Sequence, residues 1–284
     1  AVTIEPEKVT PAMMEFVDID GLVKGASRGE GLGNEFLGHI QQVDAMAHVV
    51  RLFPDEDVAH VDGNLDPVRD IETINNELIQ KDREVAEGRY DDVEQEGVSL
   101  VNDMGRLTRK PIISVGNVSE NQLMAVGESE DPADLPGRLG EFVRYADEHG
   151  LRYAWICAGL ENELSELEDP DEVRMFLEDM GIEEPGLDRL VQLGYAALDL
   201  ISFYTVKGPE TRGWELPRGT TAPRAAGKIH SDMEEGFIRA EVIPWENLVE
   251  AGSFRAARDK GWMRGEGKGY IVRDGDVILF HFKT

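Results

Sequence analysis

Apolar positions along this chain come in two kinds of run, short and continuous or spaced three and four apart, and their order defines the elements. Met14-Glu-Phe-Val-Asp-Ile19, Ala45-Met-Ala-His-Val-Val-Arg-Leu-Phe53, Pro111-Ile-Ile-Ser-Val-Gly-Asn117 and Leu151-Arg-Tyr-Ala-Trp-Ile-Cys-Ala158 are short, β-branched or aromatic, and read as buried strands. Helical spacing lies between them. Phe36, Leu37, Ile40 and Val43 follow Asn34 as N-cap, and Asp66 with Pro67 at the first helical position opens a helix through Leu78. Further helices are expected after Leu160 through Leu167, from Asp171 to Met180 and from Pro185 to about Ser202. The last carries an apolar stripe at Leu187, Leu190, Val191, Leu193 and Leu198. This alternation predicts an α/β fold with a doubly wound, mostly parallel sheet, whose binding sites belong at the C-terminal ends of its strands.

The pattern changes near Phe203. Short strands separated by turns follow, with one Ala-rich helix near Pro223 to His230, which together suggest a ubiquitin-like β-grasp. The expected division is residues 1–201 for the first domain and 202–284 for the second. Within the first, Gln80 to Arg109 is charged and reads as irregular. Gly265, Gly267 and Gly269 beside Arg264 and Lys268 read as a turn, since no helix N-terminus follows to receive a phosphate.

Composition narrows the classes. Asp and Glu number 57 against 29 Lys and Arg, a net charge of −28 with pI near 4.5. Such a polyanion repels phosphate, so DNA is not an expected partner and any RNA contact needs a local basic patch. No apolar run approaches the roughly 20 residues that cross a bilayer, and no signal peptide opens the chain. One cysteine, Cys157, excludes an internal disulfide and fits a reducing, cytoplasmic setting. His48 and His60 read as structural histidines.

The candidate chemistry starts at the end of the first run. Asp18-Ile-Asp-Gly21 has the D-x-x-G form of nucleotide switches, and Gly25, Gly29, Gly31 and Gly33 follow before the next helix. Alone, an Asp at a strand end is more often a turn former than a metal partner. The sequence contains no G-x-x-x-x-G-K-[S/T], and no G-x-G-x-x-G follows a strand, which argues against a dinucleotide oxidoreductase.

The wider stretch Asp18 to Asn34 resembles the second switch of Obg-related GTPases, particularly their YchF branch. Asp66-Pro-Val-Arg-Asp-Ile71, Asn117-Val-Ser-Glu120 and Ala222-Pro-Arg-Ala-Ala-Gly-Lys-Ile-His-Ser-Asp-Met-Glu-Glu-Gly-Phe-Ile-Arg-Ala-Glu-Val-Ile243 extend the likeness over nearly the whole chain. It implies a P-loop NTPase domain whose P-loop is absent, a helical-hairpin insertion cut to a stub at about 80–109, and a C-terminal TGS domain. Thr3-Ile-Glu-Pro6 looks like the family's first switch, directly followed by Lys8-Val-Thr-Pro-Ala12, which normally comes later. The compressed spacing implies missing segments.

The same resemblance assigns roles. Thr3 and Asp18 would hold Mg²⁺ and the Gly21 amide would bond the γ-phosphate. Asn117-Val118-Ser119-Glu120 stands where GTPases have N-K-x-D; the lysine is gone and the carboxylate is one methylene longer. This implies ATP in preference to GTP, with Val118 against the base, Asn117 bracing neighbouring loops, and Cys157-Ala158-Gly159 beneath the base. Cys157 replaces a serine there and is no nucleophile. Leu22 occupies the position of the usual water-orienting Gln, so hydrolysis should be slow and no catalytic residue is assigned. The implied protein is a ribosome-associated, Mg²⁺-dependent ATPase switch; the alternative is a ribosome or stress adaptor with a structural nucleotide pocket. Arg218, Arg224, Lys228, His230 and Arg239 are candidates for a face toward ribosomal RNA, or for internal salt bridges to Asp232, Glu234 and Glu235.

These assignments predict that Asp18→Ala abolishes nucleotide-dependent ordering of Gly25 to Gly33 while leaving the fold intact. Hydrogen exchange with and without a non-hydrolysable ATP analogue measures it; equal protection in both proteins would refute the role of Asp18.

Overall fold

The computed structural model describes residues 6–19, 39–55, 64–96, 107–127, 129, 131–167, 169–208 and 210–283, with side chains described except over 84–96. The chain divides into two units, residues 17–198 and residues 1–16 with 199–284. The short strand β1 (Lys8–Thr10) belongs to the second.

In the first unit, β2 (Met46–Arg51), β3 (Ile112–Asn117) and β4 (Arg152–Ile156) pair in that order, all parallel. The helices are α1 (Pro67–Glu96), α2 (Glu120–Gly127), α3 (Arg138–Glu148), α4 (Ala158–Glu166), α5 (Pro170–Asp179) and α6 (Gly186–Ala197). Their starts follow from local chemistry. Asp66 Oδ1 accepts from the Arg69 amide at 3.0 Å with Pro67 at the first position, and Asp169 does the same for Asp171 at 2.9 Å ahead of α5.

One face of the sheet packs Val50, Leu52 and Val118 against Leu139, Phe142 and Val143 of α3, joined by Ile71 of α1. Each such side chain contributes about 1.5–3 kcal/mol on burial. Gly116 makes the approach of Phe142 feasible: a Cβ there would lie 2.6 Å from Leu52 Cδ1 and 3.2 Å from Phe142 Cε1. The other face packs Ile113 and Val115 against Leu190 of α6. The sheet is therefore covered on both sides, as the doubly wound reading requires.

Three features differ from expectation. Residues 11–19 carry no regular structure, with Phe16 47% and Val17 59% exposed, although Met14 to Ile19 reads as a buried strand. A strand needs a neighbour to satisfy its backbone, and no described strand pairs with this one. The charged stretch after Gln80 continues α1 to Glu96; Glu, Arg, Gln and Lys are good helix formers, and charge alone does not make a segment irregular. The helix is tied to the returning chain by Asp82, whose carboxylate accepts from the amides of Leu107 at 2.8 Å and Thr108 at 3.0 Å. Finally, α6 stops at Ala197 and the next strand begins at Leu200, so the change of pattern falls slightly before residue 202.

The second unit has β5 (Leu200–Lys207), β6 (Glu210–Pro217), α7 (Ala222–Ile229), α8 (Ser231–Glu235), β7 (Phe237–Pro244), α9 (Trp245–Ala251), α10 (Phe254–Asp259), β8 (Arg264–Glu266) and β9 (Asp276–Phe282). Its sheet runs β1-β6-β5-β9-β7-β8. A hairpin, β5–β6, with the last strand β9 parallel to β5 in the centre and antiparallel to β7 is the β-grasp order. Ala222, Ala225 and Ala226 let α7 sit close on Phe203, Val242 and Ile278. The alternate positions Tyr204, Ile243 and Val277 pack with Leu248 of α9 and Ala257 of α10. Those two helices were not anticipated from the sequence, which suggested one helix against the sheet.

His48 gives a pH test of the first core. Burial on β2 pulls its imidazole down to about 4 from 6.5, opposed in part by the charge of Asp70. The folded state thus favours the neutral ring, and its contribution is complete above pH 6.5 and lost as pH falls toward 4. The loss is at most about 3 kcal/mol. Denaturant unfolding at pH 4.5 and 7.5 is expected to show this slope, and His48→Leu to flatten it.

Candidate nucleotide site

The C-terminal ends of the three parallel strands align: Arg51 lies beside Asn117 and Asn117 beside Ile156. The Leu52 amide donates to the Asn117 carbonyl at 2.9 Å and the Val118 amide to the Ile156 carbonyl at 2.8 Å. The loops after β3 and β4 therefore leave the sheet side by side. A side-chain bond joins them: Asn117 Oδ1 accepts from the Ala158 amide at 3.2 Å.

The turn after β3 is held by a reciprocal cap. The Ser119 amide donates to Gln122 Oε1 at 3.0 Å, and the Gln122 amide points back to Ser119 Oγ at 3.4 Å. Gln122 Nε2 also donates to the Leu52 carbonyl at 3.1 Å, so one side chain ties this turn to the end of β2. Gln122 was not among the residues singled out from the sequence, although the Ser-x-x-Gln spacing is itself the signal of such a cap. Glu120, first residue of α2, is exposed, as are Ala158 and Gly159 at the start of α4. Beneath them Val118 and Cys157 are buried, at 1% and 5% exposure.

The structure thus brings Asn117, Glu120, Ala158 and Gly159 to one sheet edge. Asp18 is exposed within the irregular segment 11–19; Thr3, Gly21 and Leu22 lie outside the described residues, as do Gly25 to Gly33. Among the described residues no three His, Cys, Asp or Glu side chains gather into a metal-binding group. The donor set suits Mg²⁺ only in the form that ion commonly takes, one or two carboxylates completed by substrate phosphates and water.

Residues 200–283 match the family described as "YchF-GTPase_C: Protein of unknown function (DUF933)". The chain is 41% identical over 317 residues to the "Ribosome-binding ATPase YchF" of Bacillus subtilis (strain 168), covering 99% of this chain and 84% of that protein. It is 39% identical to the protein of the same name from Haemophilus influenzae, with the same coverage. The solved "Structure of the Schizosaccharomyces pombe YchF GTPase" superposes with a TM-score of 0.83 at 28% identity, over 99% of this chain and 83% of that one. The chain belongs to the YchF family.

The YchF alignments run over 317 residues against 284 in this chain, so the relatives carry segments without a counterpart here. The β-grasp unit of this YchF chain spends most of its candidate RNA-facing cations internally. Arg218 Nε lies 2.9 Å from Asp199 Oδ1, Lys228 Nζ 2.6 Å from Glu215, and an Arg239 nitrogen 2.9 Å from Glu241. His230 instead caps α8, its Nδ1 accepting from the Asp232 amide at 3.2 Å. Arg224 has no ion pair among the described residues and, with Arg218, Gly219, Thr220 and Thr221, lines an open groove beside α7.

Val118 requires a correction. Its side chain belongs to the core formed by Leu52, Phe142 and Leu160, so it offers no surface to a base. A polar turn residue follows a strand that must still anchor the sheet, and Val118 does the anchoring. Restoring the lysine of GTP-specific relatives at this position is therefore expected to unfold the protein rather than change its base preference. Val118→Lys should cost about 3 kcal/mol or more, since it buries an unpaired charge. Urea denaturation measures this; a loss below about 1 kcal/mol would mean that the side chain escapes to solvent and is not a core anchor.

Proposed function

We propose that this YchF chain is a nucleotide-dependent switch, ribosome-associated as its relatives' names state for them, that binds ATP in preference to GTP and hydrolyses it slowly. The observation that carries the base assignment is the joined pair of loops, Asn117 to the Ala158 amide, with the exposed Glu120 carboxylate beside them. Guanine presents two adjacent donors, its N1–H and exocyclic amine, which a short Asp accepts together. Glu120 is longer and starts from the first turn of α2, and valine follows Asn117 where guanine readers have lysine. This arrangement favours adenine, which has one amine to offer.

Mg²⁺ would be held by Asp18 with Thr3 and would neutralise charge between the β- and γ-phosphates. Asn117 positions the second loop, and Gln122 keeps the first in register with β2. Leu22 in the position of a water-orienting Gln supports slow turnover, because an aliphatic side chain neither donates nor accepts a hydrogen bond. The same leucine favours the second reading, an adaptor that binds nucleotide without turnover. Phosphate release assayed with and without ribosomes separates the two.

Calorimetric titration with ATP and GTP at equal Mg²⁺ tests the base assignment. ATP is expected to bind at least as tightly as GTP. Glu120→Asp should shift the ratio toward GTP by about one hydrogen bond to a charged group, on the order of 1.5–3 kcal/mol at best. Asn117→Ala should weaken both nucleotides alike, because it loosens the loop and not the base contact. A strong GTP preference in the unmodified protein would overturn the assignment.

A further inference from the structure

Strand β6 is an edge that the chain covers with three of its own residues. β1 lies parallel to it, with Lys8 opposite Glu210, Val9 opposite Thr211 and Thr10 opposite Arg212. An open strand edge presents unpaired N–H and C=O groups and templates the addition of another strand. The cover is slight. Val9 is 55% exposed, Lys8 is exposed, and residues 11–19 that follow have no regular structure, so little apolar area holds β1 in place.

What does hold it, besides main-chain pairing, is Glu210. Its Oε1 accepts from Thr10 Oγ1 at 3.0 Å and lies 3.2 Å from Lys8 Nζ. A second feature of β6 points the same way. A Cβ at Gly213 would lie 2.9 Å from the backbone nitrogen of Ala12. Glycine inside a strand commonly marks a place where another backbone comes close, and here the backbone is the segment that continues β1.

We propose that the β6 edge is a strand-acceptor site for a basic, extended segment of a partner protein, and that residues 8–12 guard it in cis. The guard is the template for the ligand: a cation and a hydroxyl at the Glu210 end, then small residues passing Gly213. Strand addition draws affinity from main-chain bonds and specificity from alternate side chains, and a chain of net charge −28 attracts a basic segment over an acidic one. This site is independent of the nucleotide reading, and its test uses no nucleotide.

The probe is the fluorescently labelled peptide acetyl-Lys-Lys-Val-Thr-Pro-Ala-amide, titrated by anisotropy with the whole chain. The double variant Val9→Pro/Thr10→Pro, which removes two N–H groups from the guard, is expected to bind the peptide about tenfold more tightly than the unmodified chain, as the competent fraction rises. Adding Gly213→Val should abolish binding. Because that substitution sits mid-strand, Glu210→Lys in the released chain provides a second arm at the first residue of β6, where the side chain is only partly buried: it should weaken the basic peptide about fivefold and admit acetyl-Glu-Glu-Val-Thr-Pro-Ala-amide in its place. Equal binding to guarded and released chains, or binding indifferent to Glu210→Lys, would overturn the proposal.

Discussion

The candidate site depends on the register of three parallel strand ends. Once Arg51, Asn117 and Ile156 stand side by side, backbone amides just beyond them have partners only across the strands, and the Leu52 and Val118 amides take those partners. The loops must then emerge on the same edge, close enough for Asn117 to bond the Ala158 amide. The buried Val118 and Cys157 pin the loops from below, leaving Glu120, Ala158 and Gly159 open above. Val118 and Cys157 directly follow β3 and β4 and stay in the core, whereas Glu120, Ala158 and Gly159 stand at the starts of α2 and α4.

The β-grasp unit gathers its cations around its own carboxylates. Glu241, on β7, lies within 2.9 Å of Arg239 and 2.8 Å of Arg258. The hydrogen bond from Arg258, with that from Arg239, holds its carboxyl below the usual range despite partial burial. Cations committed in this way stabilise the unit locally, in a protein of net charge −28. For this chain, contact with a polyanion by broad electrostatic attraction is unfavourable, and recognition has to be local.

Met14 to Ile19 has no neighbour strand among the described residues. Lys8 to Thr10 instead joins the β-grasp sheet, which has a free edge to offer. The strand tendency of both segments is real; which of them pairs is decided by where an unpaired edge lies.

Hydrophobic periodicity by itself determined the parallel β2, β3 and β4, the start of α1, the helices α4 to α6 and the change to a β-grasp near residue 200, because burial of a strand or a helix face leaves a repeat that is local in sequence; α2 and α3, between β3 and β4, were not read from it. Caps were legible for the same reason: Asp66 with Pro67 acts within one turn. The candidate loops could be found from motif residues, and between them Asn117 Oδ1 accepts from the Ala158 amide. Tertiary structure alone decided that Val118 is core, that α9 and α10 cover the second face of the sheet, and that most of the candidate basic patch is paired. Each of those outcomes rests on contacts between residues far apart in the chain, where the sequence records which groups are available but not which of them meet.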